Sequence, residues 1–403
     1  MLRVCILTET YHPVVGGGET QARLLAEQLC ARNAVVCVLT RRSDGAFPAV
    51  ERMEQVRVYR VGPVGRGQLK KWGLLVSTVL PLFRLRHAYD VLFVSGFRIL
   101  GVPAVLVGRA LGKRIVLKAD SQGEMSGEFF GPGLARFGLR PSSAPLRTFL
   151  ALRNAVLRRA DAFVAITHEG ARELSQAGVR SEAIHTMPNA VDTRRFLPAD
   201  ASTRIGLRRK LGLPEAAPIG VYTGRLVEYK GLPLLVRVWP SIVRVHPQAI
   251  LVLVGEGGLD IHNCEDELRA HVKANGLERC IVFAGAVADV SDHLRAADLF
   301  LYPTENDAFP SSLLEAMACG LPAVTTPVGA IGTIIDDERN GVLVPSGSRE
   351  QLEAAVDRLL RDRELASRLG TAARETVLQR YSAARIAGEY TEIFESLVAG
   401  TRR

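Results

Sequence analysis

The chain has 403 residues, 47% hydrophobic and 23% charged, with a formal net charge of +9. That length allows two domains, each with its own core, and that balance excludes a disordered chain. The charge is uneven, with 28 Lys and Arg against 15 Asp and Glu up to residue 195 and 23 against 27 beyond it, and no recognition motif accompanies the excess, which excludes a nucleic-acid binder.

Residues 4–8 are predicted to form a first strand, since they lack the apolar core and cleavage site of a signal peptide. Pro13-Val-Val-Gly-Gly-Gly-Glu19 follows, then a helix over about 20–32 on the spacing of Leu24, Leu25, Gln28 and Leu29. Strand, glycine loop and helix is how doubly wound folds bring backbone close to a phosphate, and a plain tight turn explains Gly16 and Gly17 equally well. Further strands are expected at 35–40, 56–61, 91–95, 114–118 and 162–166, with helices between them, which gives a parallel sheet covered on both faces. The most lipid-like stretch, 91–111, contains Arg98, Pro103 and Arg109 and is read as buried strand plus helix.

Lys70-Lys-Trp72, the apolar residues up to Phe83, and then Arg84, Arg86 and His87 fit two readings. One is a surface helix docked on its own sheet; the other is a membrane-contacting helix with a Trp anchor and basic flanks. Lys118 and Asp120 stand at the carboxyl end of a strand, where open α/β sheets place ligand groups. The Gly-, Ser- and Pro-rich stretch 121–145, with Phe129, Phe130 and Phe137, reads as an irregular segment that meets an acceptor. The six cysteines (5, 30, 37, 264, 280 and 319) lack metal-type spacing and are expected as buried thiols in a reducing cytosol.

Residues 198–218 are polar and lead into a second α/β region. After a strand at 219–222 comes Thr223-Gly-Arg-Leu-Val-Glu-Tyr-Lys-Gly231. Arg225 can grip a phosphate in two places and Lys230 adds a mobile point charge. Strands at 250–254 and 281–283 end in Gly255-Glu-Gly-Gly258 and Ala284-Gly-Ala-Val287.

An apolar run at 299–301 then leads into Tyr302-Pro-Thr-Glu-Asn-Asp-Ala-Phe-Pro-Ser-Ser-Leu-Leu-Glu-Ala-Met-Ala-Cys-Gly320. Pro310 suits a first helical position, where its missing N–H is harmless. Ser311, Ser312 and Leu313 would then offer unbonded N–H groups at a positive helix end. Asp307 precedes that site, and Glu315 lies one turn in, on the face of Ser311. An anion cradle flanked by two carboxylates suits a ligand carrying both phosphate and sugar hydroxyls. Beyond it come a strand at 323–325, a loop at 327–333, a hairpin-like turn at Asn340-Gly341, and helices at 349–361, 363–380 and 382–397.

These motifs resemble those of the retaining glycosyltransferases of family 4, also called group 1, which have the GT-B fold. The family's pattern is Glu, seven residues, Glu, then Ala-Met-Ala-x-Gly-x-Pro; 315–322 matches its second half, and Asp307 or Glu305 stands for the first acid. The family's Gly-Arg-x-x-x-x-Lys-Gly is matched at every fixed position from Gly224 to Gly231. Its Pro-Asn-Gly-Val-Asp-x-x-x-Phe corresponds to 188–196, with Ala190 for Gly, and its Pro-x-x-Gly-Gly-x-Glu loop to 13–19. At 327–333 the family's Gly-Gly-x-x-Glu is replaced by a loop carrying Ala330 and Thr333.

The resemblance implies an α/β protein of two Rossmann-like doubly wound parallel-sheet domains facing a deep cleft. Residues 1–197, completed by a helix at about 382–403, would take the acceptor, with Glu19, Lys118 and Asp120 on that side. Residues 198–381 would take a UDP- or GDP-linked sugar. Arg225, Lys230, Asp307 and Glu315 would be the catalytic group, with Glu315 on the ribose and Asp307 on the transferred sugar. Gly16, Gly17, Gly224, Gly255, Phe309, Pro310, Ser311, Ser312 and Leu313 would line the donor, and the main chain near Val287 would read the base. No metal and no cofactor is implied. The expected place is the cytoplasm or the inner face of the cell membrane, making polysaccharide or glycolipid from a glycan or lipid-linked acceptor. Two other functions fit the same motifs: a non-catalytic nucleotide-sugar sensor, and an epimerase or inverting transferase of the same fold.

Overall fold

Val4, Cys5, Ile6 and Leu7 are all fully buried, as a strand can be only at the centre of a sheet covered on both faces. A computed structural model describes residues 1–14, 16–65, 72–121, 123–127, 143–258 and 260–400. They fall into two units, Met1–Asn189 with Ala383–Arg403, and Ala190–Ser382.

The first unit begins with β1 (Arg3–Thr8), α1 (Gly17–Ala31), β2 (Val35–Arg41), β3 (Val50–Met53) and β4 (Val56–Val61). It continues through α2 (Leu74–Ser77), α3 (Val79–Arg84), β5 (Val91–Ser95), α4 (Phe97–Ala110), β6 (Arg114–Ala119), α5 (Ala144–Leu157), β7 (Ala162–Ala165), α6 (His168–Gln176) and β8 (Ile184–Thr186). The strand order is β3-β4-β2-β1-β5-β6-β7-β8, parallel except for the β3–β4 hairpin at one edge. Sequence reading missed β3, whose alternating exposed residues leave no apolar run to see. The stretch 91–111 is indeed strand plus helix, with Pro103 inside α4.

The second unit comprises α7 (Ala201–Lys210), β9 (Ile219–Thr223), α8 (Leu232–Val245), β10 (Ile250–Val254), α9 (Glu265–Ala274), β11 (Ile281–Gly285) and α10 (Ser291–Ala296). Then follow β12 (Leu299–Tyr302), α11 (Ser311–Ala318), β13 (Ala323–Thr325), α12 (Ile331–Ile334), β14 (Val342–Leu343), α13 (Arg349–Arg361) and α14 (Arg363–Arg380). Its strand order, β11-β10-β9-β12-β13-β14, is parallel throughout. The turn at Asn340-Gly341 is therefore not a hairpin, because β14 runs parallel to β13.

The last helix, α15 (Ala383–Ala399), packs within the first unit, where Tyr390 and Phe394 meet Phe93 at ring distances of 5.4 and 5.7 Å. The connection 190–197 belongs with the second unit, so the break falls at Asn189 rather than at 197. The reason is Arg374, whose guanidinium donates to the carbonyls of Phe196 (2.7 Å), Ala318 (2.6 Å) and Thr193 (3.0 Å). Arg195 adds an ion pair to Asp289 at 2.9 Å.

Candidate active site

In the second unit the loops after β9 and β12 bring their polar residues together, because those strands are neighbours whose carboxyl ends coincide. Lys230 ends a 3-10 turn, Glu228–Lys230, and its Nζ donates to Asp307 Oδ2 at 2.7 Å and to the Asn306 carbonyl at 3.2 Å. The two side chains are only 12% and 17% exposed. Burial pulls the Lys230 ammonium below its usual pKa, against the opposing pull of Asp307. Its charge also stands over the rings of Tyr229 and Tyr302, at 5.2 and 5.5 Å. Asp307 accepts further from the Tyr302 hydroxyl at 2.6 Å and from the Phe309 N–H at 3.2 Å. Glu305 lies exposed two residues earlier.

Arg225 is exposed and held by Asp260, with its other terminal nitrogen donating to the Tyr229 hydroxyl at 2.8 Å. Tyr229 thus borders both cations. Gly224 and Gly255 have φ of +147° and +139°, and a Cβ on Gly255 would stand 1.9 Å from the Gly224 carbonyl oxygen. Only glycine permits that approach.

A glycine backs the carbonyl at each end of the loop 303–307. A Cβ on Gly231 (φ +73°) would fall 1.9 Å from the Pro303 oxygen, and one on Gly329 (φ +53°) 1.8 Å from the Asp307 oxygen.

Pro310 is the capping residue of α11, in an extended conformation, and the first helical residue is Ser311. Pro310 thus stands one position before the first helical position expected of it. The N–H groups of Ser311, Ser312 and Leu313 have no hydrogen-bond partner among the described residues, and they open at the positive end of the helix. Phe309 is buried edge-on against Tyr381 at 6.1 Å. Glu315, half-buried one turn on, finds no hydrogen-bond partner among the described residues. Burial pushes its carboxyl up to about 7, with Arg195 opposing and Asp289 reinforcing the shift. Val287 is half-buried in the loop after β11.

In the first unit, Gly16 caps α1 and Gly17 is its first residue, with nothing near where a Cβ of Gly17 would be. Glu19 turns back to accept from the Thr10 hydroxyl. A Cβ on Gly18 would stand 3.6 Å from Asp120 Oδ2, so the glycine loop and the end of β6 meet. Asp120 is paired with buried Lys118 and accepts from Ser95 Oγ at 2.8 Å. Beneath it, buried Glu124 accepts from the N–H groups of Asp120 and Phe97, both at 3.0 Å. Burial pushes the Glu124 carboxyl up to about 8, with Asp120 adding to the shift and Arg98 opposing it. Lys70, Lys71, Phe129, Phe130 and Phe137 lie outside the described residues.

Sequence reading had not singled out Tyr222, Tyr229, Asp260 and Tyr302 in the second unit, or Ser95 and Glu124 in the first. A tyrosine ending a strand reads as ordinary core, and only its hydroxyl partner marks it otherwise. All six cysteines are free thiols. Among the described residues, no group of three or more His, Cys, Asp or Glu could hold a metal ion.

Residues 204–376 match the family described as "Glycosyl transferases group 1", and residues 16–190 the one described as "Glycosyl transferase 4-like domain". The chain is 30% identical over 404 residues to a D-inositol 3-phosphate glycosyltransferase of Saccharomonospora viridis, covering 96% of this chain and 90% of that one. It is 26% identical over 390 residues to an N-acetyl-alpha-D-glucosaminyl L-malate synthase of Bacillus anthracis, covering 96% and 95%. In fold it is similar to a sucrose-phosphate synthase from Thermosynechococcus elongatus, with a TM-score of 0.78 at 23% identity over 99% of this chain and 100% of that one.

Proposed function

The chain belongs to the group 1, family 4 glycosyltransferases, and from that premise we propose that it moves a sugar from a UDP- or GDP-linked donor to an acceptor hydroxyl with retention at the anomeric carbon. The observation that carries this reading is the convergence of Lys230, Asp307 and the three N–H groups of α11, with Arg225 joined to them through Tyr229. The diphosphate lies on those N–H groups, and Lys230 and Arg225 take up the charge that grows as the bond to the sugar breaks. Glu315 accepts from the ribose and Asp307 from the sugar. The acceptor oxygen bonds to the anomeric carbon on the face that the phosphate leaves, and the acceptor's proton passes to a phosphate oxygen. No protein base and no divalent ion is needed, since the cations and the helix end do that work.

A thermal-shift screen of nucleotide-sugars tests the donor. A ligand at about 100 times its dissociation constant adds about 2.7 kcal/mol of stability. NMR of the product reads the anomeric configuration, and turnover unchanged by chelator tests metal independence. An inverted product or loss of turnover with chelator overturns the respective part.

The acceptor proposed is a glycan or lipid-linked sugar at the cytoplasmic face of a membrane. No helix among the described residues is long and apolar enough to cross a membrane. The first unit holds 29 Lys and Arg against 17 Asp and Glu, the second 22 against 25. On the first unit Val76, Val79, Leu80 and Phe83 of α2–α3 and Leu152 of α5 are exposed, and all three helices pack on α4, whose Leu106 is exposed too. Apolar side chains beside Arg84, Arg86 and Arg147 suit an anionic lipid surface, at about 1 kcal/mol per basic residue. Salt-sensitive flotation with phosphatidylserine vesicles is expected, and its absence indicates a soluble acceptor.

A further inference from the structure

Two tyrosines lie at the carboxyl ends of the neighbouring strands that carry the site, Tyr222 next to last in β9 and Tyr302 last in β12, and both are buried. Their rings stack 5.8 Å apart at 15°, and Phe300 continues the stack against Tyr302 at 5.7 Å and 17°. Each hydroxyl reaches one of the loops. Tyr222 donates to the Arg225 carbonyl at 2.7 Å, and Tyr302 donates to Asp307 Oδ2 at 2.6 Å. Asp307 Oδ2 is the same oxygen that takes the Lys230 ammonium. Among the described residues, Asp307 Oδ1 has only the longer bond from the Phe309 N–H.

We propose that Tyr302 is a positioning residue that sets how firmly Asp307 holds Lys230, and so how much of the ammonium's charge is available to a diphosphate. The proposal rests on the donor-site reading above. Two short hydrogen bonds into one carboxylate oxygen share its charge. While the phenol takes its part, the ammonium is steered by Asp307 without being neutralised by it. Without the hydroxyl, Lys230 is the one strong donor left to Oδ2 among the described residues, the pair tightens inward, and the phosphate meets a weaker cation. The same bond fixes the carboxylate's rotation, so that Oδ1 is the oxygen left for a sugar hydroxyl. The residue acts through its neighbours and touches no substrate itself.

The test is Tyr302→Phe, which keeps the ring, the stack and the cation–π contact and removes only the hydroxyl. Binding of inorganic pyrophosphate, measured by calorimetry, is independent of base and sugar. Tyr302→Phe is expected to weaken it by about 5-fold, Lys230→Ala by about 20-fold, and the double variant no more than Lys230→Ala alone, within about 2-fold. Phe300→Leu, in the same stack but without a hydroxyl, reports packing alone and is expected to lower the melting temperature while leaving pyrophosphate affinity within about 2-fold. Single effects that multiply in the double variant overturn the proposal, as does Tyr302→Phe binding like wild type. If wild-type protein binds neither pyrophosphate nor UDP nor GDP, the donor-site reading itself is wrong, and the role of Tyr302 is lost with it.

Discussion

Replacing Lys230 by Met removes the charge while keeping most of the buried stem. Asp307 is then left 17% exposed beside an apolar neighbour. Removing one partner of a buried ion pair costs about 3–5 kcal/mol. Asp307 still accepts from Tyr302 and from the Phe309 N–H, so the lower end applies, about 3 kcal/mol. In a unit of this size that is a fall of about 6–12 °C in melting temperature. Asp307→Asn in the same protein removes the stranded charge, and the double variant is expected to regain all but about 1 kcal/mol. Turnover behaves differently. Lys230→Met loses about 10²–10³ in kcat, the amount typical of a lost transition-state charge donor, and the double variant regains none of it. The assays are calorimetric melting and donor turnover on the three variants. Stability losses that simply add, or activity restored together with stability, would refute the claim that this pair is held for chemistry rather than for the fold.

Glu315→Gln separates ionisation from shape. Its carboxyl sits at about 7 in the folded chain against an ordinary 4.5, so the folded state favours the protonated form. The associated stability is fully present below about pH 4.5 and lost as pH rises to about 7, about 3 kcal/mol in all. The Gln variant should match wild type in melting and turnover at pH 4, and at pH 8 exceed it in melting while losing donor turnover; a difference that does not change with pH would count against the assignment. Gly329→Ala drives a Cβ against the Asp307 carbonyl at a φ of +53°, whereas Gly347, with φ +75°, has open space around it. Alanine at 329 should cost about 2–4 kcal/mol and at 347 about 1 kcal/mol, by chemical denaturation, and equal losses would mean that the contact is unimportant. Arg225→Ala, at an exposed position held by Asp260, should leave melting within about 0.5 kcal/mol while turnover falls about 10²-fold.

The two parallel sheets were readable because their central strands, such as β1, β5, β9, β10 and β12, are short apolar runs between helical segments, and burial on both faces demands such runs. The candidate site was readable where a residue type has few uses: Arg and Lys in the loop after a strand, serines with unbonded N–H groups at a helix start, one acid in the loop before that helix and another one turn into it. What stayed hidden was how these groups are shared. Nothing in the spacing says that Asp307 serves Lys230 and Tyr302 through one oxygen, or that Asp260 holds Arg225, since those choices depend on loop backbone that glycines shape. The break between units was misplaced for a similar reason. Arg374 binds the connection from 178 residues away along the chain, and sequence separation gives no sign of it.

The two glycines that back the loop after β12 have a bearing on how such proteins diversify. Gly231 packs against the carbonyl of Pro303 and Gly329 against that of Asp307, while the side chains of Glu305 and Asn306 are exposed. The side chains at 305 and 306 can therefore vary without disturbing the loop backbone that carries Asp307. Changes at 231 or 329, far less conspicuous in chemistry, would disturb it at once.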